Sequence, residues 1–193
     1  EARVRELDPA TDQFVEIAAF DPITEESPEG YTAKRDDADT RFRIALAEGV
    51  TSWQVVEALN AIDVLSGEIA ERPEEGMLAP DSYEVVSGAD RTALLAQMQE
   101  VQELRIAAAW EGRQEGLPLA SPEEMLVLAS IIEKEAGVAE EREQVASVFV
   151  NRLNRGMRLQ TDPTVIYGLT KGKGVLGRGL RQSELRSRTP WNT

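Results

Sequence analysis

Eight consecutive positions from Met125 to Ile132, MLVLASII, are apolar or small. The start of a helix is well specified just before them: Ser121 is a good N-cap, Pro122 suits the first helical position, and Glu124 completes a capping box. At roughly 100° per residue this run is apolar nearly all round, which predicts a buried helix. A second helix is predicted from about Glu140 to Asn154, with Val145, Val148, Phe149 and Leu153 facing inward and Gly156 as its stop. Asp162-Pro163 then reads as an N-cap and first helical position for a short third helix, TVIYGL, ending at Gly168.

Upstream, residues 1 to 41 show two short strand-like pieces, Phe14 to Phe20 and Tyr31 to Lys34, separated by a Pro/Glu/Ser/Gly stretch that reads as a solvated loop. From Phe42 the pattern sharpens. FRIALAEG alternates as a strand, Gly49 ends it, and Thr51 or Ser52 caps a helix, SWQVVEALNAI, with Trp53, Val56, Leu59 and Ala61 at helical spacing. Leu65 to Ala70 suits a short helix or strand, Tyr83 to Val86 a strand, and about Arg91 to Trp110 a long amphipathic helix. Gly116 and Pro118 break the chain before the central helix. The expected fold class is α+β: a poorly defined segment 1–40, a small βα module (LysM-like or a linker) at 41–75, and a mainly helical domain with short strands at 76–193.

The chain has 193 residues and a net charge of −14, with no Cys and no His. Disulfides, thiolate chemistry, His-based triads and the usual zinc constellations are therefore excluded, and neither cofactor nor metal is expected. The charge is uneven: from residue 151 onward there are nine basic and two acidic side chains, against 12 and 33 before it. The acidic body argues against nucleic-acid binding, while the basic third suits an anionic polymer, a lipid surface or the acidic body itself. The longest apolar run is far short of the roughly 18 residues that span a bilayer, and no signal peptide is visible. Without Met at position 1, and stopping at TPWNT, the chain reads as a soluble fragment of a longer protein.

Candidate chemistry enters at the end of the central helix. Glu133 projects between Ala129 on one side and Leu126 and Ser130 on the other, whereas Glu135 lies roughly 200° further round, between Leu128, Ile131 and Ile132. The two cannot serve the same pocket. A carboxylic acid held against apolar side chains has its charged form disfavoured, which is what a general acid needs, so one of the two is a candidate acid. The competing reading is a structural ion pair with Lys134, Arg142 or Arg152. Asn151 and Arg152, near the end of the second helix, suit capping. Gln160, Thr161, Asp162 and Tyr167 gather amides, hydroxyls and a ring that suit a sugar, or else simply cap and pack the third helix. The tail from Lys171 to Arg188 is rich in Gly and Arg, has no Walker spacing, and reads as a flexible arm near the site with a short helix from Ser183.

The run LASIIEKEAGVAEEREQVASVFVNRLNRGMRLQTDPTVIYG resembles the signature of the YceG/MltG family of endolytic murein transglycosylases. EGVTSWQVVEAL, EGMLAPDSY and TPWNT are similar to that family too, so the resemblance covers roughly Arg41 to Thr193. It implies that Glu133, the first Glu of IIEKE, is the catalytic acid/base. It also implies that Ser130, Asn151, Gln160, Asp162 and Tyr167 hold the glycan, with Glu135 and Arg152 in orienting or ion-pair roles. The implied reaction cleaves between MurNAc and GlcNAc of nascent peptidoglycan to leave 1,6-anhydro-MurNAc ends. One carboxylate suffices for it, because the sugar's own 6-hydroxyl replaces water. A conventional muramidase would need a partner about 5 Å away for retention or roughly 6.5–9.5 Å for inversion, for which Asp162 is the candidate.

The family normally carries a membrane helix and a LysM-like segment ahead of this region and continues beyond an Asn-Thr pair such as Asn192-Thr193. The resemblance therefore implies a catalytic domain truncated at its C-terminus, a single-pass anchor outside this sequence, and a periplasmic or extracytoplasmic position at the bacterial inner membrane beside cell-wall synthases. The alternative is a non-catalytic glycan-binding or scaffold module of that machinery.

Overall fold

A computed structural model of the chain describes residues 2–192 apart from 22, 23, 36, 38 and 39. Thr193 of the Asn-Thr pair lies outside the described residues. The fold is α+β, with short strands confined to the first half and helices alone after residue 121 among the described residues. Strands β1 (Ala2–Asp8) and β2 (Gln13–Phe20) form an antiparallel hairpin. Its turn is closed by Asp8, whose carboxylate accepts from the Ala10 N–H and the Thr11 hydroxyl, each at 2.9 Å.

Tyr31 to Lys34, expected as a strand, instead lies in helix α1 (Glu29–Arg35). Four residues carry too little alternation to distinguish the two, and tertiary contact decides. Tyr31 is buried with its ring 5.0 Å from that of Phe20 and 6.4 Å from that of Phe42, while its hydroxyl donates to Asp63. Arg35 adds an ion pair to the same Asp63 at 3.1 Å.

Strand β3 (Phe42–Ala45) leads through the Glu48-Gly49 turn into α2 (Ser52–Ala61), whose cap is Thr51 with a complete capping box through Gln54. The short β4 (Leu65–Ser66) follows, then β5 (Ser82–Val85), which pairs antiparallel with β3, and β6 (Ala89–Asp90), which runs parallel to β4. Asp90 caps the long α3 (Arg91–Glu111), accepting from the Ala93 N–H at 2.8 Å. Leu59 and Met98 are fully enclosed at the centre of the first core, which runs from Phe20 to Met98. It crosses residue 75 without a break, since Val55 and Leu59 share it with Leu78, Tyr83 and Leu94.

The second core belongs to α4 (Pro122–Glu135) and α5 (Arg142–Asn154), with α6 (Asp162–Thr170) packed against α4 and followed by the short α7 (Gln182–Leu185). Leu128, Ile131 and Phe149 are buried in it, with Val145, Leu153 and Leu159 packed around them. Here several expectations need correction. α4 is not buried all round: its neighbours cover the Leu128–Ile131 face, and Val127 on the open side is 60% exposed. Val148, expected to face inward, is also exposed.

The capping box at Ser121 is half formed, because Glu124 reaches back to the N–H of Ala120 rather than that of Ser121. α6 is capped by Thr161, not Asp162, and runs past Gly168 to Thr170, where Lys171 takes a left-handed conformation. Gly168, inside the helix, lies under Trp191, and a Cβ there would meet the Trp191 side chain at 3.1 Å. The tail is thus folded back on α6 rather than loose beside it.

Candidate active site

The two carboxylates of IIEKE leave α4 on different faces, as the helical spacing requires. Glu135 accepts a hydrogen bond from the hydroxyl of Thr161, the buried cap of α6, which is 4% exposed. Glu133 points the other way, toward the turn between β3 and α2. Gly49 in that turn has φ of 70°, and a Cβ there would lie 3.5 Å from Glu133 Cγ and 3.1 Å from Lys134 Nζ. The positive φ and the close approach of Lys134 both favour glycine at this position.

The Glu133 carboxylate is not enclosed by apolar side chains. Its side chain is 32% exposed, and Oε2 accepts from Arg142 Nη2 at 2.9 Å. Arg142 opens α5, and the same Nη2 lies 3.1 Å from Glu48 Oε2. Of the three cations considered as ion-pair partners, Arg142 is therefore the one at Glu133. Arg152 makes no ion pair among the described residues. It donates instead to the carbonyls of Arg158 and Leu159, at 3.0 and 3.1 Å, and reaches Gln160 Oε1 at 3.4 Å. Gln160 is held there with φ of 55°, a strained conformation for a residue with a Cβ.

Ser130 lies one turn before Glu133 on the same side of α4, exposed, with its hydroxyl donating to the Val127 carbonyl at 2.7 Å and its oxygen still able to accept. Asn151 and Asp162 are exposed, and no hydrogen bond or ion pair links Asp162 to Glu133 among the described residues. Tyr167 is engaged elsewhere: its hydroxyl donates to Glu75 Oε1 at 3.3 Å, and its ring lies 6.4 Å from that of Trp191. Burial first, and then the Glu75 charge, push the Tyr167 phenol up from its ordinary value.

Glu75 is the hub of a clasp between the two cores. Its other oxygen accepts from the Ser52 N–H at 2.8 Å, and Thr51 Oγ1 donates to the Gly172 carbonyl at 2.6 Å. The N-terminus of α2 is thereby fastened to the end of α6, and Lys171 Nζ sits 3.0 Å from the centre of the Trp191 ring. Through this clasp the Glu48-Gly49 turn is held over the end of α4.

A profile of the YceG-like family matches residues 23–193. This chain belongs to the YceG-like family. Over 73 residues it is 42% identical to the endolytic murein transglycosylase of Bacillus subtilis (strain 168), covering 38% of this chain and 19% of that one. Over 111 residues it is 30% identical to the endolytic murein transglycosylase of Streptococcus pneumoniae serotype 2, covering 57% of this chain and 19% of that one. The matched region is thus less than a fifth of either curated relative. A crystal structure of a yceG-like protein from Listeria monocytogenes shares the fold, with a TM-score of 0.60 over 80% of this chain and 59% of that one at 24% identity.

In this YceG-like chain Glu48 and Glu75 are polar residues given no role from sequence, and Thr161 has a partner the sequence did not show. Thr161 sat visibly in the polar cluster before α6, but its partner Glu135 did not, because the bond joins separate helices. Glu48 and Glu75 lie in a strongly acidic stretch where nothing local distinguishes them from other solvated carboxylates.

Proposed function

We propose that this chain carries the glycan-cleaving centre of an endolytic murein transglycosylase, with Glu133 as acid and base. The observation that supports it is the sorting of the two carboxylates: Glu135, itself exposed, is engaged by the hydroxyl of buried Thr161, while Glu133 leaves another face of α4, half-buried beside Ser130 and the Gly49 turn. Curated relatives named endolytic murein transglycosylases support the same reading.

In the proposed reaction Glu133 protonates the glycosidic oxygen between MurNAc and GlcNAc, and an oxocarbenium-like centre develops. The resulting carboxylate takes the proton from the sugar's 6-hydroxyl, whose oxygen closes on C1 to give a 1,6-anhydro-MurNAc end. Ser130, Asn151, Gln160, Asp162 and Tyr167 would hold ring substituents, with Tyr167 acting through its ring while its hydroxyl serves Glu75. The substrate would be nascent peptidoglycan at the outer side of the bacterial inner membrane, near cell-wall synthases and tethered by a segment outside this sequence. No helix among the described residues is long and apolar enough to cross a membrane.

The Glu133–Arg142 pair favours a second reading, a non-catalytic glycan-binding or scaffold module, since a carboxylate permanently held by a guanidinium donates no proton. Incubation with purified glycan strands and mass spectrometry of the products separates the two. Anhydro ends support the transglycosylase, ordinary reducing ends indicate hydrolysis, and retention without cleavage supports the scaffold.

A further inference from the structure

Arg142 Nη2 faces two carboxylates at once, Glu133 at 2.9 Å from α4 and Glu48 at 3.1 Å from the β3–α2 turn. Lys134, whose Nζ lies against Gly49, is the other charged group at this turn. A Glu133–Arg142 pair alone is neutral, and placing a proton on Glu133 would leave the guanidinium unpaired. With Glu48 present, the same proton leaves Arg142 with a carboxylate partner. The Glu48-Gly49 turn is therefore more than a cover for the end of α4.

We propose that Glu48 is a positioning residue for the acid Glu133: it takes the Arg142 guanidinium while Glu133 carries the proton and shares it again once the proton has been delivered. The inference rests on the reading of Glu133 as the acid/base. It also turns the ion pair at Glu133 from an obstacle into part of the cycle. Glu48 touches no reacting atom; it acts through Arg142. The turn of the first core thereby contributes to chemistry on a helix of the second.

The test is a double-mutant cycle in the full natural chain, with murein glycan strands as substrate and anhydro ends as the readout. Glu48→Gln lowers kcat about tenfold with KM within about twofold, a fraction of the ~10²–10⁴-fold that general acid–base catalysis supplies. Glu48→Asp, which keeps the charge, recovers most of that loss. Combining Glu48→Gln with Arg142→Gln gives the rate of Arg142→Gln alone, because no guanidinium remains to be relocated. The melting temperature of Glu48→Gln stays at the wild-type value, since the pair it breaks is solvent-exposed.

A wild-type kcat in Glu48→Gln, or losses that simply multiply in the double variant, would overturn the role of Glu48 while leaving Glu133 as the acid. Cleavage by Glu133→Gln, or none by the wild-type protein, would instead overturn the reading on which it rests.

Discussion

The hydroxyl of Thr161, at the cap of α6, donates to the carboxylate of Glu135, at the last turn of α4. This one bond joins the end of α4 to the start of α6 and occupies one oxygen of Glu135, which otherwise faces solvent. Thr161→Val keeps the shape and loses the donor, and water at the exposed Glu135 replaces only part of the bond. The expected loss is about 1–2 kcal/mol of stability, read from the urea midpoint at unchanged slope.

Glu133 and Glu135 differ in what they touch, and their amide variants should differ accordingly. Glu133→Gln is expected to lower the formation of anhydro ends by about 10²–10⁴-fold while leaving the far-ultraviolet circular dichroism and melting temperature unchanged. Glu135→Gln should cost less activity and more stability, because its partner is a buried threonine. Equal activity losses in the two variants would show that the sorting has no catalytic meaning.

Arg91 is a buried cation whose guanidinium makes no ion pair among the described residues and donates to backbone carbonyls instead. Its Nε donates to the Leu59 carbonyl at 2.7 Å and Nη1 to the Gly67 carbonyl at 2.5 Å, and Nη2 reaches the carbonyls of Asn60 and Ile62. It satisfies the carbonyls left open where α2 ends, and so joins α2 to the start of α3. Arg91→Met should destabilise the protein by about 3 kcal/mol, seen as a lower denaturant midpoint, because several buried carbonyls lose their donor together.

The tail has its own acid titration. Glu184 is held at about 2, against an ordinary 4.5, first by the Arg178 guanidinium and then by the Arg181 N–H. Its folded value is depressed, so the stability it contributes is present above pH 4.5 and is lost as the pH falls from there toward 2. The expected result is that α7 frays in this window, followed by the Arg181 amide resonance, and that Glu184→Gln frays at neutral pH. High salt should weaken the contact as well, since the Arg178 side chain that makes it is exposed.

Much of the helical frame was legible because its signals are local. Ser121 with Pro122, and Gly156 after Asn154, each act within about one turn, and the structure uses both. The separation of Glu133 from Glu135 was equally legible, since two residues of helix turn a side chain by roughly 200° whatever surrounds them. Where local signals were weak the reading failed. Tyr31 to Lys34 alternates like a strand for four residues, yet the rings of Phe20 and Phe42 draw Tyr31 into a helix.

By itself the sequence determined the α+β class, the helix α4 with its two divergent carboxylates, and the absence of Cys and His chemistry. Only the tertiary structure decided which carboxylate meets a buried threonine and which meets Arg142, that α4 leaves Val127 in water, and that Glu48 stands beside Glu133. The physical reason is range. Caps and helical faces are set by neighbours three or four residues away, whereas a shared guanidinium needs segments brought together by the packing of two cores and the Glu75 clasp between them.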